Sequence, residues 1–347
     1  MTETEKPLVT VVILTYNQER FVGQAIESAV GQVCDFPFVV LVVDDCSTDG
    51  TADVCRRYAE RYPQTVKFVR NEKNKGLIDN YFDTLLSVET PYIADCAGDD
   101  YWCDTRKLQR QVDILERHPE VVLVHSDFCR YNEWTRQWEK RGCPVEKPQR
   151  ATFDGNVYEL LNQVGGEPFV FVGAACFRND AFRRAYMQNE RFFRNKEYAC
   201  EDFQLVFLLL REGEFRYERL ETAVYRTGES VSHSEDDGKT LNFLYRVYML
   251  RTDLIQTFGM DANRCSNFME KYLRSILSHC ICQKKTDIAA DVVSRMRRLH
   301  YRGSWRLRLY AAISKNSLLS ALFCLLKGKN KGLCQNWRSP IFSIMRF

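Results

Sequence analysis

Three short polar turns carry the residues best suited to chemistry. Thr15-Tyr16-Asn17, Asp44-Asp45 and Asp99-Asp100 each follow an apolar run, at residues 9–14, 39–43 and 92–96. If those runs are parallel strands, their carboxyl ends gather the aspartates along one edge of a sheet, where ligands of open α/β sheets bind. Several carboxylates at one edge call for a counterion. Mg²⁺ or Mn²⁺ fits, because either takes carboxylate oxygens and fills its shell with the phosphates of a substrate. The implied ligand is a diphosphate. No GxGxxG follows the first strand and no GxxxxGK[ST] occurs, so phosphate is not expected to rest on a glycine-rich backbone cradle.

Each turn also has a plainer reading. Asp44-Asp45 suits a turn that caps the following helix, with Ser47 or Asp49 as the cap, and Asp99-Asp100 suits a solvated turn. Glu201-Asp202 fits the charged first turn of an amphipathic helix, favoured there by the macrodipole.

The elements that must position these residues repeat one pattern, a Val- and Ile-rich run, a polar turn and a segment of helical spacing. After residues 9–14, Phe21, Ala25 and Ala29 stand beside Val22, Ile26 and Val30 on one helical stripe. Helices are predicted over 51–62, 78–87 and 106–118, with strands at 66–69 and 121–126. Residues 127–155 read as a hairpin or loop region, 168–177 as a buried strand, 201–211 as a helix and 215–225 as one or two strands. The alternation predicts a mostly parallel sheet flanked by helices. From Gly238 onward the pattern is helical, which predicts a sheet domain over 1–237 and a helical, basic extension over 238–347.

In this order the motifs resemble glycosyltransferase family 2. The likeness rests on Val11-Val12-Ile13-Leu14-Thr15-Tyr16-Asn17, on Val42-Val43-Asp44-Asp45-Cys46-Ser47-Thr48-Asp49-Gly50-Thr51, on Asn74-Lys75-Gly76 and on Gly98-Asp99-Asp100-Tyr101-Trp102, and runs over roughly residues 8–233. It implies a GT-A α/β fold and an inverting, nucleotide-sugar-dependent enzyme. By the same likeness Thr15, Tyr16, Asn17, Asp44 and Asp45 line the donor pocket, Asn74, Gly76 and Asn80 border the donor with Asp100, and Asp99 is the metal ligand. Where the family often has Asp-x-Asp-Asp, this chain has Ala97-Gly98-Asp99-Asp100. One carboxylate fewer implies modest metal affinity without nucleotide, so metal and donor are expected to bind together.

Farther on, Val172-Gly173-Ala174-Ala175-Cys176-Phe177-Arg178 and Glu201-Asp202-Phe203-Gln204-Leu205 are similar to the acceptor-side strand and the Glu-Asp motif of the family. The resemblance makes Asp202 the general base, with Glu201 and Trp102 on the acceptor side. Inversion needs a carboxylate on the face opposite the leaving diphosphate, able to take the proton of the attacking hydroxyl. Tyr225-Arg226 with Ser230-Val231-Ser232 resembles a late motif that often carries histidine where this chain has Gly228; the isolated His233 stays out of the metal set. The Gln-x-x-Arg-Trp motif of processive synthases is missing, so transfer of a single sugar is expected. The expected partners are a nucleoside-diphosphate sugar, UDP first among the nucleotides, and a glycan or lipid-linked acceptor in bacterial surface-polysaccharide assembly. A non-catalytic sugar-nucleotide or glycan-binding protein on the same fold is the alternative. A nucleotidyltransferase is a further rival, but the glycine-rich, lysine-containing N-terminal loop of such enzymes is not evident.

Composition sets outer limits. The 347 residues are 45% hydrophobic and 27% charged, ordinary for a folded chain. Fourteen cysteines are scattered without a CxxC pair, which fits a reducing compartment. Residues 8–14 are too short an apolar run for a signal peptide, and 318–326 fall short of the roughly 20 residues a spanning helix needs, so a cytoplasmic protein is expected. Charge is uneven: after Asp291 come twelve Lys or Arg and no Asp or Glu, within a net charge of only +3. Arg295, Arg297, Arg298, Arg302, Arg306 and Arg308 interleave with Leu299, Tyr301, Trp305, Leu307, Leu309 and Tyr310. That pattern suits peripheral contact with an anionic membrane surface, or packing on the acidic remainder of the chain. No nucleic-acid module is recognisable, and nucleic acid is not an expected partner.

Overall fold

The computed structural model describes residues 6–140, 147–164, 168–228, 237–314, 316 and 319–320. His233 and most of the apolar run at 318–326 lie outside them. The described chain divides into two compact units. The first comprises residues 1–156, 170–195 and 201–230, the second residues 157–169, 196–200 and 231–347. Two short segments expected within the sheet domain therefore group with the C-terminal helices.

The first unit is built on a mixed sheet. Its strands are β1 (Val9–Thr15), β2 (Phe38–Asp44), β3 (Val66–Arg70), β4 (Tyr92–Asp95), β5 (Tyr101–Trp102), β6 (Val121–Asn132), β7 (Gln137–Lys140), β8 (Arg150–Ala151), β9 (Ala175–Arg178) and β10 (Glu214–Thr227). The order is β3-β2-β1-β4-β9-β6-β10-β5, with β7 on β6 and β8 on β10. Strands β1 to β4 are parallel, β9 runs antiparallel between β4 and β6, and β6 and β10 are parallel to each other. The carboxyl ends of β1, β2, β4, β6 and β10 consequently share one edge.

Helices α1 (Val22–Val30), α2 (Thr51–Arg61), α3 (Leu77–Ser87), α4 (Lys107–Arg117), α5 (Phe153–Asn162), α6 (Asn179–Phe193) and α7 (Asp202–Glu212) follow in chain order. Val9, Val11 and Ile13 of β1 are wholly buried in one cluster with Val22, Ala25, Ile26 and Ala29 of α1, as the apolar stripe predicts. Each fully buried aliphatic side chain contributes about 1.5–3 kcal/mol, and this packing fixes the turn between strand and helix.

Three elements differ from the sequence reading. Strand β6 extends to Asn132 because it pairs with β10 along nearly its whole length. Residues 168–177 do not form one strand: a 3-10 turn at Val172–Ala174 interrupts them, and the Ala174 carbonyl there accepts from Gln111 Nε2 and Ser126 Oγ instead of a neighbouring strand. Neither Ser47 nor Asp49 occupies the cap position of α2, which falls on Gly50, although Asp49 accepts from the Thr51 amide at 3.0 Å.

The second unit is helical, with α8 (Asp237–Thr257), α9 (Ser266–Gln283), α10 (Thr286–Arg298) and α11 (Trp305–Ile313). Its core contains Tyr248, Phe268 and Tyr272, ring against ring. Arg251 is buried there and donates to the carbonyls of Leu161 and Gln163. Among the described residues, no helix is long and apolar enough to cross a membrane.

Candidate active site

The first two turns of the sheet edge are bound to each other. Asn17, in the left-handed region at φ 53°, accepts the Thr48 amide at 2.8 Å and gives its own amide to Ser47 Oγ at 2.9 Å. Asp44 is fully buried; it accepts from the amide and hydroxyl of Ser47 and pairs with Arg70 Nε at 3.2 Å. Asp45 accepts from Asn71 Nδ2 at 2.8 Å, from the Lys75 amide at 2.9 Å and from the Gly76 amide at 2.9 Å. Both aspartates thus hold the turns that border the pocket. Their oxygens accept from protein donors, which fixes the turns where the family likeness expects the nucleotide. Asn74 accepts the Gly76 amide and Asn80 accepts from Asn71, so the loop before α3 is tied at both ends. Gly76 has φ 78°, a conformation that side chains resist. Tyr16 is exposed, whereas Thr15 is buried with its hydroxyl oxygen unpartnered.

The third turn is packed against the first at Gly98. A Cβ there would lie 2.9 Å from the Leu14 carbonyl oxygen and from Thr15 Cβ, and closer still to Gln18 Oε1. Only glycine permits this approach, which brings Asp99 alongside Thr15 and Gln18. Asp100 is buried and accepts the Arg226 amide at 2.8 Å, and the Asp99 carbonyl accepts from Arg226 Nη1 at 2.7 Å. Burial raises both carboxyls, that of Asp100 strongly, with the Asp99 charge adding to it and Arg226 opposing. Arg226 also donates to Glu133 and Gln24 and lies over the rings of Phe21 and Tyr101. One guanidinium therefore fixes the acidic turn against α1 and the end of β6.

Trp102, expected on the acceptor side, is only 4% exposed. Its indole N–H donates to the Gly173 carbonyl at 2.8 Å, and Lys107 Nζ stands 4.2 Å over its ring. A large ring whose one polar atom is satisfied gains most by burial, so Trp102 braces the acidic turn from within the core. Lys107 is itself fully buried, and burial lowers it to about 8.

The fourth group gathers at the start of α7. Asp202 is the first residue of that helix, and its charge acts on Asp95, the last residue of β4, which brings the amino end of α7 to the edge where the parallel strands terminate. Glu201 and Asp202 interact electrostatically with Asp95, the last residue of β4, and Tyr81 is close to all three. Burial, followed by the Asp202 charge, raises Glu201 to about 8, and one of its oxygens is buried without a partner. Burial also raises Asp95 to about 7 against the opposing influence of Tyr81 and Lys107. Asp95, Gln18, Asn71 and Glu133 were not expected from the sequence, and of these only Asp95, a carboxylate ending a strand, carried a local signal; Arg226 stood out as part of a late motif, but its contact with the Asp99 turn did not.

A hard divalent cation fits this edge. Asp99 and Asp100 supply carboxylate oxygens raised by burial, and the buried Thr15 Oγ1 and Gln18 Oε1 are unpartnered beside them. Among the described residues no three His, Cys, Asp or Glu side chains converge into a metal cage, so a bound ion would take its remaining ligands from substrate and water.

The family model described as glycosyl transferase family 2 matches residues 10–186, more than half of the chain. The chain belongs to glycosyl transferase family 2. An uncharacterized protein of Mycobacterium tuberculosis is 39% identical over 115 residues, covering 33% of each chain; the match thus spans one third of that relative's length. The putative glycosyltransferase EpsE of Bacillus subtilis is 29% identical over 243 residues, 70% of this chain and 78% of EpsE. Among solved structures, TarS of Staphylococcus aureus in complex with UDP shares the fold at TM-score 0.51 and 16% identity, over 93% of this chain and 92% of that one. TarS is a poly(ribitol-phosphate) beta-N-acetylglucosaminyltransferase. The mannosyltransferase PcManGT from Pyrobaculum calidifontis, in complex with GDP-Man and Mn²⁺, aligns at TM-score 0.51 and 17% identity, over 93% and 88% of the two chains. At these identities the likeness shows the fold, a GT-A α/β sheet with helices beyond it.

Proposed function

We propose that this member of the family is an inverting glycosyltransferase that moves a single sugar from a nucleoside-diphosphate sugar to a hydroxyl of a glycan or lipid-linked acceptor. One observation carries the reading: Asp99 and Asp100 in the turn after β4, and Asp202 at the amino end of α7 with its charge reaching Asp95 at the end of β4, gather at the edge where β1 and β2 present their turns. UDP is the first nucleotide to test, given the UDP complex of TarS; GDP is the second, given the GDP-Man complex of PcManGT. The polymer acceptor of TarS supports a setting in bacterial surface-polysaccharide assembly.

In this mechanism Asp202 takes the acceptor proton as the hydroxyl oxygen attacks C1 from the face opposite the diphosphate. Glu201 and Asp95, raised to about 8 and 7, hold protons near neutral pH and limit the negative charge that Asp202 must share. The amino end of α7 favours the anion at Asp202. Asp99, held by Gly98 and Arg226, would ligate Mg²⁺ or Mn²⁺ with Asp100 beside it. The ion would supply positive charge to the departing diphosphate. Thr15, Tyr16 and the loop held by Asp45 would shape the nucleotide pocket. No covalent enzyme intermediate is needed.

The second unit supports a peripheral membrane role. Trp305 and Leu309, one turn apart on α11, are 68% and 48% exposed, with Arg306 and Arg308 between them. That arrangement suits shallow insertion into an anionic interface. Arg295 does not share in it, being paired with Asp253 and Asp291.

The test is nucleoside diphosphate release across UDP, GDP and dTDP sugars, with and without Mg²⁺ or Mn²⁺, in the parent chain and in Asp99→Ala and Asp202→Asn. Turnover of one donor only with metal, lost in both variants, is the expected result. A chain that binds donors and turns over none, with acceptors supplied, would support a binding protein instead.

A further inference from the structure

The β6–β7 hairpin has no part in the mechanism above, yet it ends at the same sheet edge. Its tip carries Trp134, 67% exposed. An indole presents a large apolar face and one N–H, which suits contact with a partly apolar, partly polar ligand, and here its surroundings are ordered. Asn132 Oδ1 accepts the amides of Trp134 and Thr135, each at 3.0 Å, while Trp138 packs edge-on against Tyr131 with centroids 5.1 Å apart.

The hairpin is also joined to the acidic turn. The Glu133 amide donates to the Thr227 carbonyl at 2.9 Å. Its carboxylate accepts Arg226 Nε at 2.7 Å, and the same guanidinium reaches the Asp99 carbonyl at 2.7 Å. On the other side lies Gly228, at φ 109°, where a Cβ would come within 3.3 Å of Trp134 Cγ and of its amide nitrogen. Trp134 is therefore seated against the end of β10 and lies one residue from the clamp that holds Asp99.

We propose that Trp134 is a sugar-stacking platform of the acceptor subsite. A pyranose has a flat face of C–H groups and a rim of hydroxyls. Trp134 matches the face, and the exposed Thr135 and Arg136, next to it in the chain, carry polar groups for the rim. A lipid chain would require a long continuous apolar surface, which the indoles of Trp134 and Trp138, set among polar residues of the hairpin, do not give. The occupant is thus the glycan part of the acceptor, placed beside the turn that would hold the donor diphosphate. This inference rests on the transferase reading for its role, but its binding test does not.

The test uses the full chain, fluorescently labelled, on an array of soluble hexose and N-acetylhexosamine glycans, beside Trp134→Ala and Trp134→Phe. Circular dichroism establishes that each variant is folded. The parent chain should bind a subset of glycans, Trp134→Ala should bind them at least about tenfold more weakly, and Trp134→Phe should recover most of the loss. With a glycan so identified as acceptor, Trp134→Ala should raise its KM far more than the KM of the donor. Equal binding by the parent chain and Trp134→Ala, or no glycan binding by the parent chain, overturns the platform. If the glycan contrast holds and no donor is turned over, the transferase reading fails and the platform stands.

Discussion

Two groups of carboxylates share the carboxyl edge of one sheet and are treated oppositely. Asp44 and Asp45, after β2, are surrounded by donors: amides of Ser47, Lys75 and Gly76, side chains of Arg70 and Asn71. Asp95, Asp99, Asp100 and Glu201 have fewer; burial raises all four, and neighbouring carboxylates add to it at Asp95, Asp100 and Glu201. A satisfied carboxylate stabilises the fold it sits in. One deprived of donors lowers stability until a proton, a cation or a substrate arrives, and such groups concentrate at reacting sites. The first group is scaffold for the pocket, and the second is where chemistry should occur.

Substitutions should separate the two groups by what fails. The largest effect is expected at Asp202, where Asn removes the base with little change in shape: the transfer rate should fall by about 10²–10⁴-fold, measured by nucleoside diphosphate release at saturating donor. Retention of more than a tenth of the rate would remove Asp202 from the role. Next comes Arg226→Gln, which frees the Asp99 turn without touching a carboxylate. Apparent Mn²⁺ affinity in the presence of UDP should weaken by about 10–100-fold, as for other residues that orient a metal ligand; an unchanged titration would mean the clamp is only structural.

In the scaffold group the expected failure is folding. Asp45→Ala strands two backbone amides and the Asn71 amide, and should cost about 2–3 kcal/mol in urea denaturation. A loss within error would show that water replaces Asp45 freely. The smallest effect is a pH dependence. Glu201 is raised from the ordinary glutamate value to about 8, so between those values the unfolded chain has released a proton that the folded chain retains. Stability therefore falls as pH rises through that window and levels off above it. Glu201→Gln, which cannot ionise, should show a shallower decline of Tm from pH 5 to 8, and parallel curves would contradict the assignment.

Much of this was legible in the sequence because it is local. Strand β1, the stripe of α1 and the acidic turn after β4 are set by neighbours in the chain, and the turns were expected at the edge where they lie. What the sequence concealed depends on distant contacts. Trp102 looked available beside two aspartates, but its surroundings come from Gly173 and Lys107, the former 71 residues away. The clamp on Asp99 comes from Arg226, 127 residues away. Asp44 and Asp45 read alike as ligands because nothing local reveals that Arg70 and Asn71 arrive from β3 and the loop beyond it. The interruption at Val172–Ala174 was hidden for the same reason, since its carbonyl is satisfied by side chains of α4 and β6.

A metal and a diphosphate together should complete the carboxylates after β4. Titration of Mn²⁺ followed by electron paramagnetic resonance, with and without UDP, tests it directly in the parent chain and in Asp99→Ala. The parent chain alone should bind Mn²⁺ weakly, UDP should tighten binding at least about tenfold, and Asp99→Ala should lose that gain. Equal Mn²⁺ affinity in the two proteins with UDP present would contradict this.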